Sequence, residues 1–80
     1  MITRHTEWTL IREEQYSYWT RTAGLVWFTI HDMAFIVSLD VRRWTPEGVE
    51  RVGEYYTQTL ADAKQLAEAI ATLSEGGWDE

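Results

Sequence analysis

The last third of the chain has the hydrophobic spacing of an amphipathic helix. Apolar residues recur there every three or four positions, at Ala63, Leu66, Ala67, Ile70 and Leu73. Thr59 precedes this run and Asp62 follows three residues later, which is typical of a capped helix start. The pair Gly76-Gly77 follows the run, and glycine commonly ends a helix. The pattern predicts one helix over residues 60–74 that buries its apolar face against another element.

Upstream of the helix, the chain contains runs of β-branched and aromatic residues that predict strands. Four of these runs span residues 6–12, 15–22, 25–31 and 34–43. Ala23-Gly24 is typical of a turn, and the polar pair His31-Asp32 separates the third run from the fourth. Because so few residues separate these two runs, we expect them to form a hairpin.

Alternation along the strands predicts which side chains share a face of the sheet. In the third strand, Val26, Phe28 and Ile30 point to one face and Trp27 to the other. In the fourth strand, we expect a second apolar face that consists of Phe35, Val37, Leu39 and Val41.

Residues 46–57 fit two structures. Thr45-Pro46-Glu47-Gly48 is typical of a β-turn, but Thr followed by Pro also fits a helix start. Gly48 and Gly53 would each cost a helix about 1 kcal/mol, and Tyr55-Tyr56-Thr57 favours a strand. We therefore favour a fifth strand over residues 49–58. The prediction is a single α+β domain, residues 1–80, in which an antiparallel sheet of four to five strands is covered on one face by the C-terminal helix.

The aromatic content exceeds what one such helix can cover. The 80 residues include five Trp, four Tyr and two Phe, and an alternating sheet sends about half of its side chains to the far face. Either strong curling of the sheet buries that face, or the face is an interface with a second copy or with another protein. The interface candidates are Trp8, Tyr16, Tyr18, Trp19, Trp27, Trp44 and Tyr55.

Charge is unevenly distributed along the chain. Residues 1–44 are neutral overall, so the net charge of −6 comes from residues 45–80. This segment contains eight acidic residues and only two basic ones, Arg51 and Lys64. An acidic surface repels phosphate backbones, which disfavours direct nucleic-acid binding. The acidic segment is either a solvated surface or, as an alternative function, the binding surface of an inhibitor or nucleic-acid mimic that acts on a basic protein.

The residue pattern contains no catalytic, cofactor or metal-binding motif. We interpret His31-Asp32 as a polar turn, because neighbouring residues rarely face each other. The neighbouring acids Glu13 and Glu14, and the group Glu47, Glu50 and Glu54, are typical of solvated charge. His5 is uninformative. We expect no enzyme activity and no cofactor; a small enzyme or ligand-binding subunit with an interfacial pocket around His31, Arg42 and Trp44 remains an alternative.

The chain has no cysteine, which removes both disulfides and cysteine-ligated zinc. The longest apolar stretch, residues 33–37, is of strand length, and the first residues lack the apolar core of a secretory signal. We expect a cytoplasmic protein without a membrane partner.

The segment from Tyr55 to Ile70 reads YYTQTLADAKQLAEAI. It resembles the strand-to-helix ending of small uncharacterised proteins of actinobacteria and their phages, and it covers about a fifth of the chain. The resemblance implies a fold of a β-sheet with a helix and an accessory role in a host or a phage, and it brings no catalytic residue. The leading hypothesis is a non-enzymatic interaction protein that forms a homodimer, or binds another protein, through an aromatic sheet face.

Overall fold

A computed structural model describes the backbone of residues 6–77 and the side chains of residues 6–73. The elements follow in the order β1 (Thr9–Arg12), β2 (Ser17–Ala23), β3 (Val26–Asp32), β4 (Val37–Thr45), β5 (Gly48–Thr57) and α1 (Leu60–Gly77). Each strand pairs antiparallel with the next, so the five strands lie in the sheet in sequence order. The α+β prediction, with a helix on an antiparallel sheet, is confirmed.

The core lies between α1 and the middle strands of the sheet. The most deeply buried large side chains are Phe28 and Ile30 of β3 and Leu39 and Val41 of β4. From the helix, three alanines spaced four residues apart face them, Ala63, Ala67 and Ala71, all buried. Because alanine has only a methyl group, the helix axis can lie close to the sheet. The core is therefore made of large side chains from the strands and small ones from the helix.

The helix begins as the sequence predicts. The backbone N–H of Asp62 donates a hydrogen bond to the Thr59 hydroxyl (3.1 Å), which satisfies one of the free N–H groups of the first turn. Two details of the helix prediction are wrong. Leu73 is 66% exposed and Ala71 occupies the buried position instead, and the helix continues through Gly76-Gly77 rather than ending before them. Glycine adopts α-helical angles as readily as the left-handed ones, so its presence permits a helix end without requiring one.

Within the segment 46–57, residues Gly48–Thr57 form a strand, which confirms the favoured interpretation. Pro46 and Glu47 form the turn after β4, and Gly48 opens β5 with a φ of 136°. Glycine fits there because residues with a Cβ rarely adopt that angle.

The hairpin between β3 and β4 differs from the prediction. His31 and Asp32 still belong to β3, and the connection consists of residues 33–36. Ala34 has a left-handed φ of 68°, and its N–H donates to the Asp32 carboxylate (3.3 Å). Such a hydrogen bond two residues on is how Asp favours turns. Phe35 is consequently 96% exposed and does not share the buried face of Val37.

The remaining strand bounds differ less. The first strand begins at Thr9 rather than at residue 6, and the second begins at Ser17 rather than at residue 15. Within residues 6–77, no helix combines the length and the apolar character needed to cross a membrane.

Candidate protein-interaction surface

The pairing register separates the two faces of the sheet. Residues directly opposite on neighbouring strands share a face, and Phe28, Ile30, Leu39 and Val41 define the face under the helix. The side chains between them point the other way. We call this second surface the open face; its central members are Tyr18, Thr20 and Thr22 of β2, Trp27, Thr29 and His31 of β3, and Ser38, Asp40, Arg42 and Trp44 of β4.

A cluster of three rings occupies one end of the open face. The rings of Tyr16 and Tyr18 stack with centroids 6.0 Å apart. The His31 imidazole lies 5.7 Å from the Tyr18 ring and 6.3 Å from the Tyr16 ring. Tyr16 is 56% exposed. His31 therefore packs among aromatic rings, whereas the neighbouring Asp32 carboxylate accepts a hydrogen bond from Ala34, so the two do not form an acid–base pair.

A tryptophan pair occupies the opposite end. The ring centroids of Trp27 and Trp44 lie 4.0 Å apart at an interplanar angle of 34°. Trp27 stands across from Arg42 on β4, and Trp44 stands across from Val49 on β5. Both rings are partly exposed, which is the situation of an aromatic anchor at an interface.

A band of ion pairs lies between the two aromatic clusters. The Arg42 Nε donates a hydrogen bond to Asp40 Oδ2 (2.8 Å), and the Arg51 Nε lies 3.3 Å from Asp40 Oδ1. The Arg51 guanidinium also lies 4.0 Å from the Glu54 carboxylate. These two arginines and two acids sum to zero charge. The open face is thus locally neutral in a chain whose net charge is −6.

Large side chains partly cover this face themselves. Thr22 and Ser38 belong to the open face but are buried. Thr22 stands across from Trp27 and Ser38 across from His31, and directly opposite side chains are close enough for a ring to shield a small neighbour. Small residues of the open face are therefore buried within one chain, while Tyr16, Trp27 and Trp44 stay at least partly exposed.

Three interface candidates lie on the helix side instead. The Trp8 indole N–H donates to the Glu68 carboxylate (2.9 Å). The Trp19 ring lies under the Lys64 ammonium group, and Tyr55 stands across from the buried Leu39. Trp8 and Trp19 therefore pack against the helix, and only Tyr16, Tyr18, Trp27 and Trp44 among the candidates share the open face.

Sequence reasoning missed two exposed apolar sites. One is the hairpin loop that contains Met33, Phe35 and Ile36. These apolar residues favoured a strand, and Asp32 just before them is the residue that indicates a turn. The other is the outer strand β5, where Val49 and Tyr56 are 55% and 56% exposed. Its position at the sheet edge follows from the turn at Pro46 and the absence of a later strand among the described residues.

Several acids of residues 45–80 lie beside an arginine in the part of the chain that the structure describes. Glu50 pairs with Arg43 (2.6 Å), and Glu68 pairs with Arg21 (3.1 Å). The side chains of Glu75, Asp79 and Glu80 lie outside the described residues, as does His5. Three of the described acids, including Glu54, are thus already close to an arginine.

The candidate pocket residues His31, Arg42 and Trp44 do not converge. His31 stands across from Ser38, which is six residues from Trp44 along β4, or roughly 20 Å at the usual rise of a strand. Among residues 6–73, no group of three or more His, Asp or Glu side chains is placed to hold a metal ion.

The fold and this surface define a five-stranded antiparallel meander with one helix and an aromatic open face. Comparison of the chain with protein-family models, with curated proteins and with solved structures finds no match.

Proposed function

We propose that this chain is a small, non-enzymatic interaction protein that forms a homodimer by packing its open face against that of a second copy. The observation that carries the proposal is the arrangement of accessible rings on that face, with Trp27 and Trp44 at one end and Tyr16 and Tyr18 at the other. Partly exposed Trp and Tyr side chains are the typical anchors of protein interfaces.

Charge favours a second copy as the occupant of the open face. Two chains of net charge −6 repel each other in general. The open face avoids this cost because Asp40 and Glu54 are balanced by Arg42 and Arg51. A two-fold axis can place the acids of one copy near the arginines of the other, so the face is complementary to itself.

The area of the face is compatible with a stable dimer. Five strands at about 4.8 Å spacing and roughly seven residues in length give a projected area of about 550 Å². The accessible surface of protruding side chains is larger than its projection, which brings the face near the roughly 800 Å² per partner of a standard interface.

The rest of the proposal depends on sequence features. The non-enzymatic role is supported by a residue pattern without a catalytic motif, and we propose a cytoplasmic location with it. The role as an accessory protein of a host or phage depends on the resemblance of residues 55–70.

Sedimentation of the wild type and of Trp27→Lys tests the homodimer. Lys at this position would place two charges in the contact of the two faces, so we expect the mass at micromolar concentration to fall by half. Tyr16→Lys, at an exposed position, should act in the same direction with less risk to folding. Leu73→Lys is the matched control, because Leu73 is exposed on the helix, and it should leave the mass unchanged.

Circular dichroism establishes that each variant is folded. A wild type that sediments as a 9.4 kDa monomer refutes the homodimer. So does a folded Trp27→Lys protein with the mass of the wild type.

A further inference from the structure

Among the residues that the structure describes, the strand β5 forms a long edge of the sheet with no strand on its outer side. It has ten residues, Gly48–Thr57, and pairs with β4 on one side only, whereas β1 at the other edge has four residues. The outer side of such a strand presents backbone N–H and C=O groups that can pair with another strand. Val49 and Tyr56 add exposed apolar side chains near its two ends.

A β-bulge in β5 changes which of its side chains share a face of the sheet. Val41 stands across from Gly53, and the next residue of β4, Arg42, stands across from Arg51. Val52 is therefore an extra residue without a partner on β4, and it shifts the alternation of side chains by one position. As a result, Arg51 and Glu54 lie on the same face although they are three residues apart.

Because of the bulge, β5 can pair antiparallel with β5 of a second copy so that complementary side chains lie opposite each other. A two-fold axis perpendicular to the sheet between Val52 and Gly53 would place Arg51 of each copy opposite Glu54 of the other. The same axis would place Val49 opposite Tyr56 and Glu50 opposite Tyr55. Both members of each pair lie on the same face of the sheet, because their partners on β4 do. Opposite charges and aromatic–β-branched pairs across antiparallel strands are both stabilising.

The charges on β5 also select this register. Charged side chains on an edge strand usually prevent pairing. A slip of one residue would place Glu50 opposite Glu54 and would turn each side chain to the wrong face of its neighbour. The register centred between Val52 and Gly53 avoids both penalties.

We infer that a second copy of the chain adds antiparallel to β5 in this register, which joins two sheets into one continuous sheet of ten strands. This contact uses the edge of the sheet and does not depend on the pairing of open faces. If both contacts form and their two-fold axes intersect at right angles, four copies assemble into a tetramer in which each copy uses its face and its edge once.

Disulfide trapping tests the register, because the chain has no cysteine of its own. The double variant Val49→Cys/Tyr56→Cys, oxidised with glutathione disulfide, should form a covalent dimer with two interchain disulfides. Within one chain the two positions are about 23 Å apart at the usual strand rise, and a disulfide requires Cα atoms within about 7 Å. No intrachain disulfide can therefore compete.

Each single variant, Val49→Cys or Tyr56→Cys, is a matched control. In the inferred register, identical positions of the two copies lie about 23 Å apart, so neither single variant should cross-link. A dimer that pairs only open faces cannot mimic the result, because stacked sheets lie about 10 Å apart. A folded double variant that stays monomeric after oxidation overturns the inference, as do single variants that cross-link equally well.

The double variant combined with Trp27→Lys separates the two contacts. Cross-linking should persist in this background even though the open face is disrupted. Loss of cross-linking in the folded triple variant would overturn the independence of the edge contact. Cross-linking of the double variant beside an unchanged mass in Trp27→Lys alone would support the edge contact and refute the homodimer of faces.

Glu54→Arg provides a second test without cysteine. It would place Arg51 opposite an arginine at two symmetric positions, and we expect the edge contact to weaken by roughly tenfold. Within one chain, Glu54 stands across from Asp40, so the new arginine gains an acid but loses its contact with Arg51. Because Glu54 also belongs to the charge balance of the open face, the substitution is made in the Trp27→Lys background, and circular dichroism establishes that the variant is folded. Unchanged edge association in a folded Glu54→Arg protein would contradict the inferred register.

Discussion

The ammonium nitrogen of Lys64 lies 3.8 Å from the centre of the Trp19 ring and 5.9 Å from that of Trp8. One turn further along the helix, Glu68 accepts the hydrogen bond of the Trp8 indole and pairs with Arg21. Through Lys64 and Glu68, two successive turns of α1 thus contact the strand β2 and Trp8, the residue just before β1. This explains why two of the five tryptophans support the helix rather than the open face.

Replacement of Lys64 should weaken this attachment. A cation over an aromatic ring at a partly exposed site contributes about 0.5–1 kcal/mol, so we expect Lys64→Gln to lower the free energy of unfolding by that amount in urea titrations. Arg12→Gln is the control, because it makes the same change in net charge at an exposed residue. If the two substitutions lowered the free energy of unfolding equally, the loss would come from the change in net charge and not from the contact of Lys64 with the ring.

The buried alanines of α1 should tolerate no enlargement. Ala67 is fully buried against the sheet, so Ala67→Leu must push the helix outward, and we expect a loss of about 1–3 kcal/mol in the free energy of unfolding. Ala69→Leu makes the same chemical change on the exposed side of the helix and should change stability by less than about 0.5 kcal/mol. Chemical denaturation followed by circular dichroism measures both. Comparable losses would contradict close contact at Ala67.

The helix illustrates what residue spacing can predict. The spacing of Ala63, Leu66, Ala67 and Ile70 indicated the helix and its buried side correctly. It did not rank the members of that side, since Leu73 is more hydrophobic than Ala71 yet lies exposed. The rotation of the helix about its axis decides which position is buried: Ala71 lies four residues after the buried Ala67 and on the same side, whereas Leu73 points away from that side.

The open face shows a different limit. Alternation placed Trp27 opposite to Phe28 correctly, but it cannot reveal a bulge. Without the extra residue Val52, Val49 and Tyr55 would share a face; with it, Val49 shares the open face with Tyr56 and Tyr55 lies on the helix side. The exposure of β5 could not be predicted from its own residues either, because its position at the edge depends on the order of the strands in the sheet.

Tyr55 and Gly53 should be energetically coupled. A Cβ built on Gly53 would lie 2.7 Å from the Tyr55 hydroxyl oxygen, so the tyrosine ring covers the glycine. Such a ring compensates for the missing side chain of a strand glycine. We expect Tyr55→Ala to cost about 1 kcal/mol in the wild type and less in a Gly53→Ala background, in which the ring is already displaced.

A double-mutant cycle measures this coupling, which we expect to be about 0.5–1 kcal/mol. The control cycle pairs Gly53→Ala with Tyr56→Ala, because Tyr56 lies on the other face of the same strand. Its two effects should be additive. Additivity in both cycles would show that the ring does not shelter Gly53.

Replacement of Ala34 by glycine should stabilise the protein. Its φ of 68° lies in the left-handed region, which costs a residue with a Cβ about 1–2 kcal/mol. Glycine removes that cost but makes the unfolded chain more flexible, a penalty of about 0.4–1 kcal/mol. We therefore expect Ala34→Gly to raise the free energy of unfolding by about 0.5 kcal/mol. Ala69→Gly makes the same change on the exposed side of the helix and should instead lower it by about 1 kcal/mol. Urea titration of both variants should give shifts of opposite sign, and a loss of stability in Ala34→Gly would show that the loop does not hold Ala34 in the left-handed conformation.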